Sequence, residues 1–194
     1  MALLTRRAVL GGLLLAGGLA ALPRPARALG GTLPTLDAPA PDFDLPGSSS
    51  VEPDRTRWRL ADFAGSWLVL YFYPKDFTGG CTLEARGFQA SLEGFHSRGA
   101  EVVGVSADSA EQHESFCSSE ALAFPLLSDS NGSVSRTYGS WIAPFSQRHT
   151  FLIDPEGRLR RIWTAVRPTG HAAEVLAVLT EMQASGSSVR TGTV

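Results

Sequence analysis

The chain is short of the residues that much extra chemistry needs. It has two cysteines and four histidines among 194 residues, and neither set has the spacing of a metal site. No glycine-rich phosphate loop and no dinucleotide fingerprint occurs. No segment repeats at a fixed period, which excludes solenoids and propellers. Positive charge is scarce too: 17 basic residues face 19 acidic ones, a net charge of -2. Four of the arginines (Arg6, Arg7, Arg24 and Arg27) fall in the first 28 residues, where no acid occurs, so the remainder carries 13 basic against 19 acidic residues, or -6. An acidic body without a basic patch interleaved with aromatics argues against a nucleic-acid partner. What is present, at 43% hydrophobic composition, suffices for one ordinary globular domain.

Residues 1–28 read as an export signal. Two adjacent arginines, Arg6 and Arg7, precede an apolar, glycine-containing run from Ala8 to Leu22, and Ala26-Arg27-Ala28 is a small-x-small cleavage site. The arginine pair resembles a twin-arginine (Tat) signal. An ordinary secretory signal and an uncleaved anchor are the alternatives; the run is shorter than the ~20 residues that span a bilayer. The expected destination is the periplasm or an equivalent compartment, where disulfides persist. Residues 29–36 are a Gly/Thr/Pro linker, and residues 185–194, rich in Gly, Ser and Thr, are expected to be a flexible tail.

The body, residues 37–184, is organised around one stretch. Trp67 to Tyr73 is apolar and suits a strand buried on both faces. It breaks at Pro74, and Gly79 and Gly80 then lead to Cys81 at the mouth of a helix expected over Thr82 to His96. A sulfur in the first helical turn faces unpaired N–H groups and the positive end of the dipole, a setting that favours negative charge on it. This places a nucleophilic sulfur at the carboxyl end of a central strand, where open α/β sheets carry their chemistry. The competing reading is a structural cysteine, since exported proteins often pair theirs.

Pro74-x-x-x-Thr78-x-x-Cys81, within YFYPKDFTGGCTLEARGF, resembles the peroxiredoxin active-site pattern, and within that family the branch called bacterioferritin comigratory protein or peroxiredoxin Q. The resemblance extends from about Ala38, where APDFDL opens the domain, to about Met182. It implies a thioredoxin-like α/β fold, with a central mixed sheet flanked by helices and an N-terminal β-hairpin. It implies Cys81 as peroxidatic nucleophile, Thr78 as a hydroxyl that orients the peroxide, and Pro74 as a shield. Arg148, ahead of Thr150-Phe151-Leu152-Ile153-Asp154, matches the family arginine that reaches the sulfur; Glu84 is a supporting acid beside it. The commonest resolving position, five residues after the nucleophile, holds Arg86 here. Some relatives carry the resolving thiol on the next helix, in a segment like His113-Glu114-Ser115-Phe116-Cys117, so Cys117 is read as resolving. Two alternatives stay open: an inert Cys117 in a one-cysteine enzyme, and a permanent Cys81–Cys117 disulfide in a non-enzymatic domain. A dithiol-exchange enzyme would want Cys-x-x-Cys, and residue 84 is glutamate. The resemblance further implies a peroxide substrate, a thioredoxin-like dithiol reductant and no metal, haem or flavin cofactor. An intramolecular resolving cysteine needs no partner chain, so a monomer is expected.

Elsewhere, Glu101–Ala107 reads as a strand. Asp108 and Glu111 have capping-box spacing ahead of a helix to about Ser119. Phe124–Asp129 is a further strand, 131–138 a short helix, 141–147 a loop, and 149–164 a hairpin. His171–Met182 is an amphipathic closing helix. Leu60 and Phe63 are expected in the core. None of the four histidines shares a motif, and none is assigned a role.

Overall fold

The structure, a computed structural model, describes residues 27–28 and 30–190. The export signal therefore lies almost wholly outside the described residues. Seven strands form one mixed sheet: β1 (Asp44–Ser48), β2 (Arg57–Arg59), β3 (Trp67–Phe72), β4 (Ala100–Ser106), β5 (Leu126–Ser128), β6 (His149–Ile153) and β7 (Leu159–Trp163), in the order β7-β6-β3-β4-β5-β1-β2. β3, β4 and β5 are mutually parallel; every other pairing is antiparallel. Among the described residues, four α-helices accompany them: α1 (Gly79–His96), α2 (Ala110–Glu120), α3 (Ser133–Thr137) and α4 (His171–Arg190). Among the described residues, no helix is long and apolar enough to cross a membrane.

β3 is buried on both faces, and its alternation divides the core. Val69, Tyr71 and Tyr73 join an apolar cluster with residues of α1, α2 and α4; Leu68, Leu70 and Phe72 join a second with Phe43, Trp58, Val134 and Tyr138. On α1 the buried positions Cys81, Ala85, Phe88, Leu92 and Phe95 recur every four or three residues, so one helical stripe faces the sheet and carries Cys81 inward with it. Tyr71 stacks on Phe88 at 4.6 Å between ring centroids, an arrangement worth about 0.5–1.5 kcal/mol beyond burial. Gly104 on β4 makes that possible: a Cβ there would stand 2.8 Å from the Tyr71 hydroxyl and 2.6 Å from Leu126.

Several expectations shift. The N-terminal hairpin forms, with β1 against β2, but it is also joined to the main sheet, since Gly47 and Ser48 pair with Leu127 and Leu126. Trp58, not singled out in the sequence, is fully buried, while Leu60 and Phe63 are only partly so. The capping box of α2 is Ser109–Gln112 and not Asp108–Glu111: Ser109 Oγ accepts from the Gln112 N–H at 3.3 Å, and Gln112 Oε1 accepts from the Ser109 N–H at 3.0 Å. Asp108 is held elsewhere, as described below. The loop 141–147 contains a small ribbon, Trp141–Ile142 against Phe145–Ser146. Residues 30–33 of the expected linker lie against Gly139–Trp141, where glycines at 30 and 139 permit the backbones to touch. Finally, α4 runs to Arg190, past the expected end at Met182 and into the stretch read as a tail.

Candidate active site

The strand, turn and helix around Cys81 form as the sequence predicts, with α1 starting at Gly79 so that Cys81 is its third residue. Thr78 occupies the position preceding the helix with extended backbone (φ -91°, ψ 144°), yet its side chain does not cap. Its hydroxyl donates to the Lys75 carbonyl at 2.9 Å, and the residue is exposed. Pro74 is half-buried at the end of β3, just past the last ladder bond, from the Tyr73 N–H to the Val105 carbonyl at 3.0 Å.

Arg148 reaches the site through sheet register. β6 runs antiparallel to β3 with His149 opposite Phe72. The residue before β6 is thereby brought level with the residues after β3. One guanidinium nitrogen, Nη2, donates to Cys81 Sγ at 3.4 Å, and the other, Nη1, donates to Glu84 Oε2. Gly80 leaves room for this: a Cβ on it would come 3.2 Å from Arg148 Nη2 and 3.7 Å from Pro168. Burial works against the Arg148 charge, but Glu84 and the Cys81 sulfur more than offset it, so its pKa moves up. Glu84 lies beside Arg148, as the resemblance implies. It is buried, and burial pushes its carboxyl from 4.5 up to about 7 against the pull of Arg148. Its Oε1 has no hydrogen-bond partner among the described residues.

Cys81 and Cys117 are both free thiols, 2% and 1% exposed, in the same apolar cluster. Cys117 sits on the inner face of α2. Burial, and then the charge of Asp76, push its thiol from 9.0 up to about 12. A cleft lined by Ser48, Ser50, Arg55, Glu114 and Ser118 reaches it from the β1–β2 side. Arg86, at the commoner resolving position, instead pairs with Glu120 at the end of α2. The permanent disulfide considered above is absent here.

The histidines divide. His171 Nε2 lies 2.8 Å from Thr150 Oγ1, an ordinary core contact. His149 is buried, and burial lowers its pKa to about 4. His113, by contrast, belongs to a buried polar group with Tyr73, Asp76 and Asp108 that the sequence reading does not single out. Its signal is present in the sequence, because His113 precedes Cys117 by four residues and so shares its helix face. Among the described residues, no group of three or more His, Cys, Asp or Glu side chains is placed to hold a metal ion.

Comparison with known proteins agrees with this arrangement. The AhpC/TSA family matches residues 36–162. Peroxiredoxin Bcp of Xanthomonas campestris pv. campestris is 43% identical over 153 residues, covering 74% of this chain and 93% of that protein. Peroxiredoxin Bcp of Bacillus subtilis is 39% identical over 151 residues, with 74% and 93% covered. A solved Xanthomonas campestris peroxiredoxin Q superposes with a TM-score of 0.65 at 41% identity, over 71% of this chain and 90% of that one. With its thioredoxin-like mixed sheet and a cysteine–arginine pair at the end of the central strand, the chain belongs to the AhpC/TSA family, in its Bcp or peroxiredoxin Q branch, and is a thiol peroxidase.

Proposed function

We propose that the chain reduces hydrogen peroxide and organic hydroperoxides by a two-cysteine cycle. The Cys81 thiolate attacks the terminal peroxide oxygen. An S–O bond forms, the O–O bond breaks, and the departing oxygen leaves as water or an alcohol after taking up the proton that the Cys81 thiol released on ionising. Arg148 stabilises charge on the sulfur and on the departing oxygen. The Thr78 hydroxyl, whose proton is engaged by the Lys75 carbonyl, accepts a hydrogen bond from the peroxide. Backbone N–H groups of the first turn of α1 complete the cradle, and Pro74 shields it from water. Glu84 orients the guanidinium. The Cys81–Arg148–Glu84 contact carries this reading.

Cys117 then condenses with the sulfenic acid. The S–S bond forms, and the sulfenic hydroxyl leaves as water with the thiol proton. This requires the first turn of α1 and the segment around Cys117 to unfold locally. In support, solved variants of the Xanthomonas campestris protein carry serine for cysteine at two positions separated as Cys81 and Cys117 are. The structural work on that relative concerns alkyl peroxide reduction. A thioredoxin-like dithiol protein reduces the disulfide. The protein acts as a monomer, exported by a Tat-like signal over residues 1–28 to the periplasm or its equivalent.

Peptide mapping after one equivalent of hydrogen peroxide tests the cycle, with Cys117→Ser alongside. A new Cys81–Cys117 disulfide, with sulfenic acid trapped at Cys81 in the variant, is the expected result. Sulfenic acid without a disulfide in the parent protein would leave a one-cysteine enzyme; oxidation at neither sulfur would remove the cycle altogether.

A further inference from the structure

The loop that leads into Cys81 is bound to the helix that carries Cys117 by a buried polar network that the chemistry above does not use. Asp76 is its centre. Its backbone N–H donates to Asp108 Oδ2 at 2.9 Å, and Ser106 Oγ donates to the same oxygen at 2.7 Å. Its carboxylate accepts from the Tyr73 hydroxyl at 2.7 Å and from His113 Nδ1 at 2.8 Å. Asp76 is 3% exposed and His113 not at all. Such groups are tolerated in a core only while their partners stay in place. The next residue, Phe77, takes a left-handed backbone (φ 58°), unfavourable for a bulky side chain. It sets its ring edge-on against Phe116 at 5.0 Å. Residues 76 and 77 thus grip α2 at the position one turn before Cys117 and at the position next to it.

The buried polar atoms with no hydrogen-bond partner among the described residues include the Tyr71 hydroxyl, Glu84 Oε1 and His113 Nε2. Asp76–His113 is a fully buried contact that joins loop 74–78 to α2.

We propose that Asp76 and His113 are a latch between the two cysteine-bearing segments, closed in the reduced protein and open in the disulfide form. The latch sets how fast Cys117 reaches the Cys81 sulfenic acid. The inference rests on the reading of Cys117 as the resolving thiol. The latch alters no atom in the balance of that step. Asp76 and His113 are positioning residues, since they act by holding α2 against loop 74–78.

The test compares the parent protein with Asp76→Asn, His113→Asn, the double variant, and Tyr73→Phe as a milder change that keeps the ring. Three quantities are measured with hydrogen peroxide: the rate of sulfenic acid formation at Cys81, the rate of disulfide formation, and the thermal midpoint of each redox form. Sulfenic acid formation should stay within about threefold of the parent rate. Disulfide formation should rise roughly tenfold in either single variant and about two- to threefold in Tyr73→Phe, as expected for loss of one buried hydrogen bond to a charged or a neutral partner. The double variant should add little to the Asp76→Asn effect, because both changes break the shared Asp76–His113 contact. The reduced form should melt earlier and the disulfide form should not, so the reduction potential falls by about 30 mV for a tenfold change in equilibrium. Equal destabilisation of both redox forms with an unchanged disulfide rate overturns the latch and makes the network ordinary core structure. Slower disulfide formation overturns it as well. Absence of any peroxide-driven disulfide in the parent protein overturns the resolving role itself, before a variant is made.

Discussion

Cys81 and Cys117 are the same residue, almost equally buried, in one apolar cluster, yet their surroundings are opposite. Cys81 lies in the first turn of α1 with a guanidinium donating to its sulfur. Cys117 lies inside a helix with no cation against it among its described contacts, and burial and the charge of Asp76 push its thiol up to about 12. Burial alone does not decide whether a sulfur reacts; the sign of the nearest fixed charge does. The difference also orders the proposed cycle. The sulfur beside the guanidinium reacts first, and Cys117, held as a thiol, reacts only after its segment has moved.

The contrast can be broken most severely at the nucleophile. Cys81→Ser should lower peroxide turnover by on the order of 10⁴-fold or more, measured by peroxide consumption with a dithiol reductant, while Cys117 stays unmodified. Arg148→Met makes the two sulfurs more alike by removing the cation. It should slow sulfenic acid formation by roughly 10²–10³-fold in stopped-flow mixing with hydrogen peroxide.

Two pH experiments sharpen the comparison. The Cys117 thiol is raised in the folded state, so the stability it contributes is fully present below pH 9 and is lost as pH rises toward about 12. The loss should be a few kcal/mol, and Cys117→Ala should flatten that alkaline limb in denaturant titrations. Glu84 has the same sign at lower pH. Its folded carboxyl binds the proton more tightly than the unfolded one, so stability present below about pH 4.5 is lost as pH rises through about 7. Glu84→Gln should remove that slope, which amounts to at most roughly 3 kcal/mol. A Glu84 slope of opposite sign would mean that Arg148, and not burial, dominates the carboxyl.

Much of the site was legible because it is local. Pro74, Thr78 and Cys81 lie within eight consecutive positions, where a strand end, a turn and a helix start are set by short-range backbone preferences. Arg148 was legible only through the resemblance, since nothing in its own neighbourhood distinguishes it from a surface arginine. It reaches the sulfur because β6 pairs with β3 in one register. Residue type puts the cap of α2 one residue early because Asp108, a good capping residue by type, is engaged by Asp76 and Ser106. The sequence assigns the histidines no role, because a histidine's role depends on what lies across from it.

By itself the sequence determined an α/β domain with a buried central strand and a cysteine opening the following helix, because burial pattern and turn chemistry act over a few residues. Only the tertiary structure decided which charge faces each sulfur. Arg148 reaches Cys81 from 67 residues away, and Asp76 reaches His113 from 37. Such contacts follow from strand order and helix packing, which no local stretch encodes, and electrostatic effects of this size arise only where burial removes the water that would screen them.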